Sequence, residues 1–393
     1  MVCDIVIGAN YGDEGKGLIS RLLSYNSINQ NEKVLNILFN GGCQRGHTVD
    51  YTEDFRHVYK HFGSGTLDGA DTYYNKDFIL NPMQFNEEYN VLAQYASEVM
   101  NIDMPKMFCH RDCRVSTPFD MVLNQMVELN RDKNRHGSCG WGIFETRKRY
   151  EKSKYNMTFM EMRCASNDKL YLYLESIAKE YLPDMIEEYG INDEIVQKYR
   201  EFSTDRNTII NFINDFRLMC RRVEIIYFGD LIKKYDEVIY EAGQGLALSE
   251  TNLADFPHLT PSKTGSEVPI AEISPYATEI NIHYVTRTYF TRHGAGPLYF
   301  ECAKNLINPA IEDKTNHDND FQKSLRFAPL DYNAMLDRII ADSDKTAKFL
   351  HITHANYNEL PTEVLSCLSY YFKSLEIYKD KFGNNVGFYT GKL

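Results

Sequence analysis

Apolar residues fall into two rhythms along this chain. Asp4 to Ile7, and then Lys33 to Phe39 ("KVLNILF"), are short apolar runs that each lead into glycine, the pattern of strands covered on both faces of a parallel sheet. The same signal returns at Glu237 to Tyr240 and at Ile282 to Tyr289. From Met121 to Tyr235 apolar residues instead recur at helical spacing among charges, as in "DKLYLYLESIAKEYLPDMIEEYG", which predicts a helix-rich insertion. Together these rhythms predict an α/β fold with a central, mostly parallel sheet and crossover helices, its site loops gathered at the carboxyl ends of the strands. Residues 1–393 read as one large domain, with the insertion at about 121–235. The polar stretch from Asn308 to Ser324 predicts a mobile surface loop beside the sheet edge.

Composition narrows the class. With 43% hydrophobic and 25% charged residues the chain reads as an ordinary globular protein. It has no apolar run long enough for a bilayer, so no membrane partner is expected. The first apolar run is short and passes straight into a glycine loop, unlike a secretory leader, so a cytoplasmic location is expected. The 9 cysteines lack paired spacing; Cys109 and Cys113, with His110 between them, have no second half of a zinc site and read as buried thiols. A net charge of -12 argues against nucleic acid as a partner.

Candidate chemistry concentrates after the first strand. In "GANYGDEGKGLIS", Gly8, Gly12, Gly15 and Gly17 surround Asp13, Glu14 and Lys16. The spacing is not that of a Walker A loop, because Lys16 is followed by Gly17 rather than a hydroxyl residue. Glycines still let backbone N–H groups approach an anion, with Lys16 at the start of a helix near Leu18. Phosphate would repel Asp13 unless a metal ion or a proton-transfer task kept it there. The second glycine loop, "NGGCQRGHTV", sets His47 after Gly46 at a strand end, where a catalytic and a structural histidine are both open readings.

The strings "GDEGKG" (Gly12 to Gly17) and "GHT" (Gly46 to Thr48) resemble adenylosuccinate synthetase, and further matches follow in that family's order. These are "HGSCGWG" (His136 to Gly142), "YEAGQGLAL" (Tyr240 to Leu248), "FPHLTPSKT" (Phe256 to Thr264) and "VTRTYFTRHGAGP" (Val285 to Pro297). The resemblance implies a magnesium-dependent ligase of purine biosynthesis. Such an enzyme phosphorylates the 6-oxygen of a purine monophosphate, IMP by default, and displaces that phosphate with the amino group of aspartate. It implies Asp13 as base and magnesium ligand, Gly46 as a carbonyl ligand to magnesium, and His47 as the acid at the 6-oxygen. Lys16 would sit at the β- and γ-phosphates and Gln244 at the purine edge, while Glu14 shapes the loop. Gly12, Gly15, Gly17, Ser138, Cys139, Thr260, Arg292 and Gly294 would serve nucleotide and phosphate. A homodimer is also implied, an arginine reaching the neighbouring subunit's substrate phosphate; Arg147 and Arg149 are its candidates.

Three departures bear on specificity. Where the family reads guanine with a "TKLD"-like segment, this chain has "THAN", Thr353 to Asn356. The Asn356 amide both donates and accepts, so ATP or dATP is expected to replace GTP. In the aspartate-binding segment "FQKSLRFAPLD", Arg326 and Lys323 remain, but Ser324 stands where another arginine is expected. In the phosphate loop, Ser138, Cys139 and Trp141 replace two threonines and an arginine. These changes are similar in kind to a viral branch that aminates dGMP with an adenine nucleotide as donor, although retention of Asp13 opposes it. A nucleotide-binding relative without catalysis is the reading of another class; the intact Asp13, Lys16, His47 and Gln244 argue against it.

Overall fold

The computed structural model describes residues 1–312, 324–343, 346–379, 381, 383 and 385–390. Ten strands form one sheet: β1 (Val2–Gly8), β2 (Val34–Leu38), β3 (Asp71–Tyr74), β4 (Met107–Cys109), β5 (Val223–Ile225), β6 (Glu237–Gly245), β7 (Glu279–Arg287), β8 (Ala347–Thr353), β9 (Ser374–Tyr378) and β10 (Asn385–Thr390). Their order across the sheet is β10-β9-β8-β7-β1-β6-β2-β3-β4-β5. Every pairing is parallel except that of β9 with β10.

Burial on both faces explains the unbroken apolar runs. Every residue of β1 from Cys3 to Gly8 is buried. Alternation sends Val6 toward Leu18 and Ile19 of the first helix, α1 (Lys16–Asn29), while Ile5 and Ile7 join Tyr240, Tyr284 and Leu350 on the other face. Helix α1 starts two residues before Leu18, because Gly15 takes a left-handed conformation at its N-cap with φ 92°.

Helices occupy most of Pro118–Arg131 through Arg206–Arg222, packed around their own core of Phe119, Leu123, Phe159, Leu174, Phe212 and Phe216. Inside the stretch read as helical, β5 returns to the sheet as an edge strand beside β4. Three residues are too few for a periodic signal to show. The apolar run from Ile282 to Tyr289 is likewise divided. β7 ends at Arg287, and Tyr289–Arg292 pairs antiparallel with Arg326–Pro329 outside the main sheet. Most of the polar stretch from Asn308 to Ser324 lies outside the described residues.

Candidate active site

Sheet order brings the motif loops together. β8, β7, β1, β6 and β2 are consecutive neighbours and mutually parallel, so the segments following them emerge on one edge. The segments after β8, β7, β1 and β2 carry Asn356, His293, Asp13 and His47, and Gln244 lies at the carboxyl end of β6 itself.

The loop after β1 is braced from within. Glu14 is buried and accepts from the Asn10 side chain at 2.7 Å and the Gly12 N–H at 3.2 Å. Burial raises its carboxyl above the ordinary range, against the pull of Lys16. Asn10 also donates to Thr286 Oγ1 of β7 at 3.0 Å and accepts from Arg338 at 2.6 Å. The Lys16 ammonium folds back onto the Gly12 carbonyl oxygen. Burial lowers its pKa, while Glu14 and Asp13 oppose that shift. Asp13 differs, its side chain being 27% exposed and 3.6 Å from His293 Nε2. Behind the loop, Thr353 donates its hydroxyl to the Glu14 carbonyl at 2.9 Å, and a Cβ on Gly15 would lie 2.9 Å from Thr353 Cγ2. The turn with His354 and Asn356 is therefore fastened directly to the glycine loop.

His47 is held by a buried carboxylate. Its Nδ1 is hydrogen-bonded to Glu241 Oε1, and Glu241 also accepts from Arg45 Nη2 at 2.9 Å, Ser64 N at 3.0 Å and the Ser64 hydroxyl. Burial alone would raise the Glu241 carboxyl, but Arg45 and His47 hold it down at about 2. Burial, then the Arg45 charge, lowers the His47 imidazole to about 3 against the pull of Glu241. The ring is thus neutral at pH 7, donating from Nδ1, with Nε2 buried and unpartnered. Such a ring is oriented to meet an arriving group through one known nitrogen.

Gln244 lies beside the second loop: a Cβ on Gly41 would come within 3.2 Å of its Oε1, which is buried without a hydrogen-bond partner. Asn40 ties this loop to β6 and to the next segment, accepting from Gly243 N at 2.7 Å and donating to Lys263 O at 2.9 Å. Thr260 hydrogen-bonds to Leu248 O through its own N–H at 2.9 Å. Ser138 exchanges hydrogen bonds with Asn124 at 3.0 and 3.2 Å, and burial pushes the neighbouring Cys139 thiol up to about 11. The loop from His136 to Gly142 and the glycine turn after Arg292 touch: a Cβ on Gly137 would lie 2.5 Å from Gly294 Cα, and Ala295 N donates to His136 O at 3.0 Å.

Several expected contact residues have other partners in the fold. Arg292 is buried and donates to Pro297 O and His258 O, both at 2.8 Å, bracing the turn, while its Nε is buried without a hydrogen-bond partner. Arg326 donates to Gly294 O at 2.9 Å and Gly296 O at 2.8 Å, and forks onto the Glu301 carboxylate. The carboxylate paired with Arg326 is an exposed one, the Glu301 side chain being 43% accessible. Arg149 is fully buried against Asp120, Tyr173 and Val115 O, which removes it as an arginine that reaches a neighbour; Arg147 stays at the surface, paired with Glu250 at 3.1 Å. Asn356 is exposed, and Lys323 lies outside the described residues. A cavity of about 610 Å³ lined by Tyr11, Phe290 and Arg338 adjoins the loop but includes none of Asp13, Lys16, His47 and Gln244.

Sequence reading missed Glu241, Arg45 and His293. The first two had a signal: an acid and a base, each two or three residues from a motif position, on strand ends that the sheet makes adjacent. His293 had none, because its partner Asp13 is reached only across the edge.

For a divalent ion the described residues offer oxygen. Asp13 supplies a partly exposed carboxylate, and Gly46 is exposed, a Cβ there meeting only Val58 Cγ1 at 3.6 Å. Hard oxygen donors from one carboxylate and one carbonyl suit magnesium, which takes its remaining ligands from water and phosphate.

Residues 5–373 match the protein-family profile described as adenylosuccinate synthetase. The adenylosuccinate synthetase of Wigglesworthia glossinidia brevipalpis is 24% identical over 311 residues, 77% of this chain and 67% of that protein. That of Clostridium botulinum strain Eklund 17B is 26% identical over 302 residues, 75% and 64% of the two chains. The matched regions thus span about two thirds of the relatives' length. Among solved structures, fully ligated adenylosuccinate synthetase from Plasmodium falciparum aligns with a TM-score of 0.66 at 16% identity, covering 98% of this chain and 82% of that one. The cyanophage S-2L succinoaminodeoxyadenylate synthetase bound to dGMP and dATP aligns with a TM-score of 0.64 at 13% identity, covering 100% and 95%. The shared fold, the ordered motifs and the profile over nearly the whole chain agree: the protein belongs to the adenylosuccinate synthetase family of carbon–nitrogen ligases.

Proposed function

We propose that this protein joins L-aspartate to the 6-position of a purine 5′-monophosphate, with IMP as the default substrate, at the expense of a nucleoside triphosphate. The observation that carries this reading is the convergence of Asp13, His47 and Gln244 on one edge of three adjacent parallel strands.

The chemistry follows from the groups. A purine 6-oxo group attacks phosphorus poorly until the ring N1 proton leaves; Asp13, accessible at the loop tip, accepts that proton. The resulting 6-oxyanion attacks the γ-phosphorus, the O–P bond forms, and the nucleoside diphosphate departs. The aspartate amine then adds at C6, and the C6–O bond breaks as phosphate leaves. Lys16 exchanges the Gly12 carbonyl for phosphate oxygens, where its charge opposes the negative charge that develops. His47 holds the 6-oxygen through Nε2. To donate there the ring must carry both protons, a state that arriving phosphate charge favours as burial and Arg45 disfavour it. Gln244 reads the purine edge, and Thr260, Ser138 and Cys139 line the phosphate end. Magnesium, when held by Asp13 and the Gly46 carbonyl, would neutralise phosphate charge. A substrate carboxylate would reach Arg326 only by displacing Glu301.

The departures at Asn356, for the donor base, and at Ser324, for the acceptor's sugar, support a second reading, in which ATP or dATP is the donor and dGMP the acceptor, while the retained Asp13 opposes it. Turnover with IMP, GMP and dGMP, each paired with ATP and with GTP, separates the two. Aspartate-dependent phosphate release with one pair is expected, and its loss in Asp13→Asn and His47→Asn supports the roles assigned. No release with any pair would remove both readings, and a homodimer, as in the resemblance, would be tested by sedimentation.

A further inference from the structure

The loop from His136 to Gly142 contains no cationic side chain besides its leading histidine, yet the fold brings a lysine to it. Lys60 directly follows the strand Arg56–Tyr59. Its backbone is pinned, because Lys60 N and His61 N donate to the two oxygens of Glu88 at 2.9 and 2.7 Å. The side chain then crosses to the loop, its Nζ 5.0 Å from the centroid of the Trp141 ring and 3.0 Å from Gln84 Oε1. Its charge is felt there: Lys60 acts against the burial that raises the Cys43 and Cys139 thiols.

The partners that hold this ammonium are both neutral, an indole face and an amide oxygen, and no carboxylate is paired with it among the described residues. That arrangement suits a charge kept for a ligand. An ammonium in an ion pair must abandon a carboxylate to bind phosphate, whereas leaving a π face and an amide costs only about 1 kcal/mol each. Burial pushes the carboxyl of Glu145, on the helix that follows the loop, up to about 7, so that it is only partly ionised at neutral pH. Trp141 thereby has a task where the family has an arginine, since it aims a cation from another element instead of carrying one.

We propose that Lys60 binds the 5′-phosphate of the purine monophosphate, facing the phosphate across from Ser138, with Trp141 and Gln84 positioning its ammonium. This rests on the reading of His136 to Gly142 as the substrate-phosphate loop, and the test separates the two claims.

Lys60→Met, Lys60→Arg and Ser138→Ala are compared for binding of IMP and dGMP and of the corresponding nucleosides, inosine and deoxyguanosine, by calorimetry. Lys60→Met should weaken the bound monophosphate about 10- to 100-fold, leave its nucleoside within about twofold, and flatten the salt dependence; Lys60→Arg should restore most of the loss. Equal weakening of nucleotide and nucleoside would mean a structural role and overturn the proposal, as would no weakening of either. If Ser138→Ala selectively weakens the monophosphate and Lys60→Met does not, the loop reading stands and the lysine falls. If neither variant discriminates, both fall.

Discussion

Glu241 and His47, 194 residues apart in the chain, share a buried hydrogen bond that fixes which imidazole nitrogen faces the site. β6 lies directly beside β2, whose end leads into the loop before His47, and this adjacency makes the contact possible. Glu241→Gln should lower turnover about 100-fold or more, because the ring loses its fixed tautomer. It also leaves Arg45 buried without its counter-charge, at about 3–5 kcal/mol of stability. In Arg45→Met/Glu241→Gln the melting temperature should largely recover while turnover stays low. Recovery of both would show that Glu241 serves stability alone.

Gly15 holds φ 92° with Thr353 packed where a Cβ would go. Gly15→Ala should therefore cost about 1–2 kcal/mol from backbone strain alone, and should raise the KM for the triphosphate through displacement of Lys16. Adding Thr353→Ser relieves the methyl contact but not the strain. Equilibrium unfolding and donor KM together check this; a Gly15→Ala protein with wild-type values of both would refute it.

Asn356 stands exposed on the turn after β8. Asn356→Asp replaces an amide that can pair with adenine by a carboxylate that can accept two donors from guanine. The ratio of kcat/KM for ATP over GTP should fall by about tenfold or more. An unchanged ratio would place donor-base recognition elsewhere.

His61 is buried, and its Nε2 accepts from Asn81 N at 3.0 Å, so the native ring is neutral. Burial lowers its pKa from 6.5 to about 4 despite Glu88 nearby. The unfolded chain therefore takes up a proton that the folded chain refuses between those values. Stability supported by the neutral ring is complete above pH 6.5 and is lost as pH falls toward 4, at up to about 1.4 kcal/mol per pH unit. His61→Gln, which keeps an acceptor but does not titrate, should show a shallower loss over that window in chemical denaturation at stepped pH. Identical slopes would show that His61 is not the group involved.

Local chemistry was legible in the chain. The glycine-rich loop after the first strand, that strand and the helix that follows come from neighbouring residues, as does the helix-rich stretch from Met121 onward. Arg149 was misjudged because an arginine looks the same in sequence whether it waits for a ligand or is already paired with a buried carboxylate such as Asp120.

The sequence by itself determined the α/β class, the family and the residue types at the candidate site, because periodicity and motif spacing are short-range properties. Only the tertiary structure decided that Glu241 orients His47, that His293 stands 3.6 Å from Asp13, and that Lys60 reaches Trp141. These contacts depend on which strands become neighbours, and strand order is set by the packing of whole crossover units rather than by any stretch of residues.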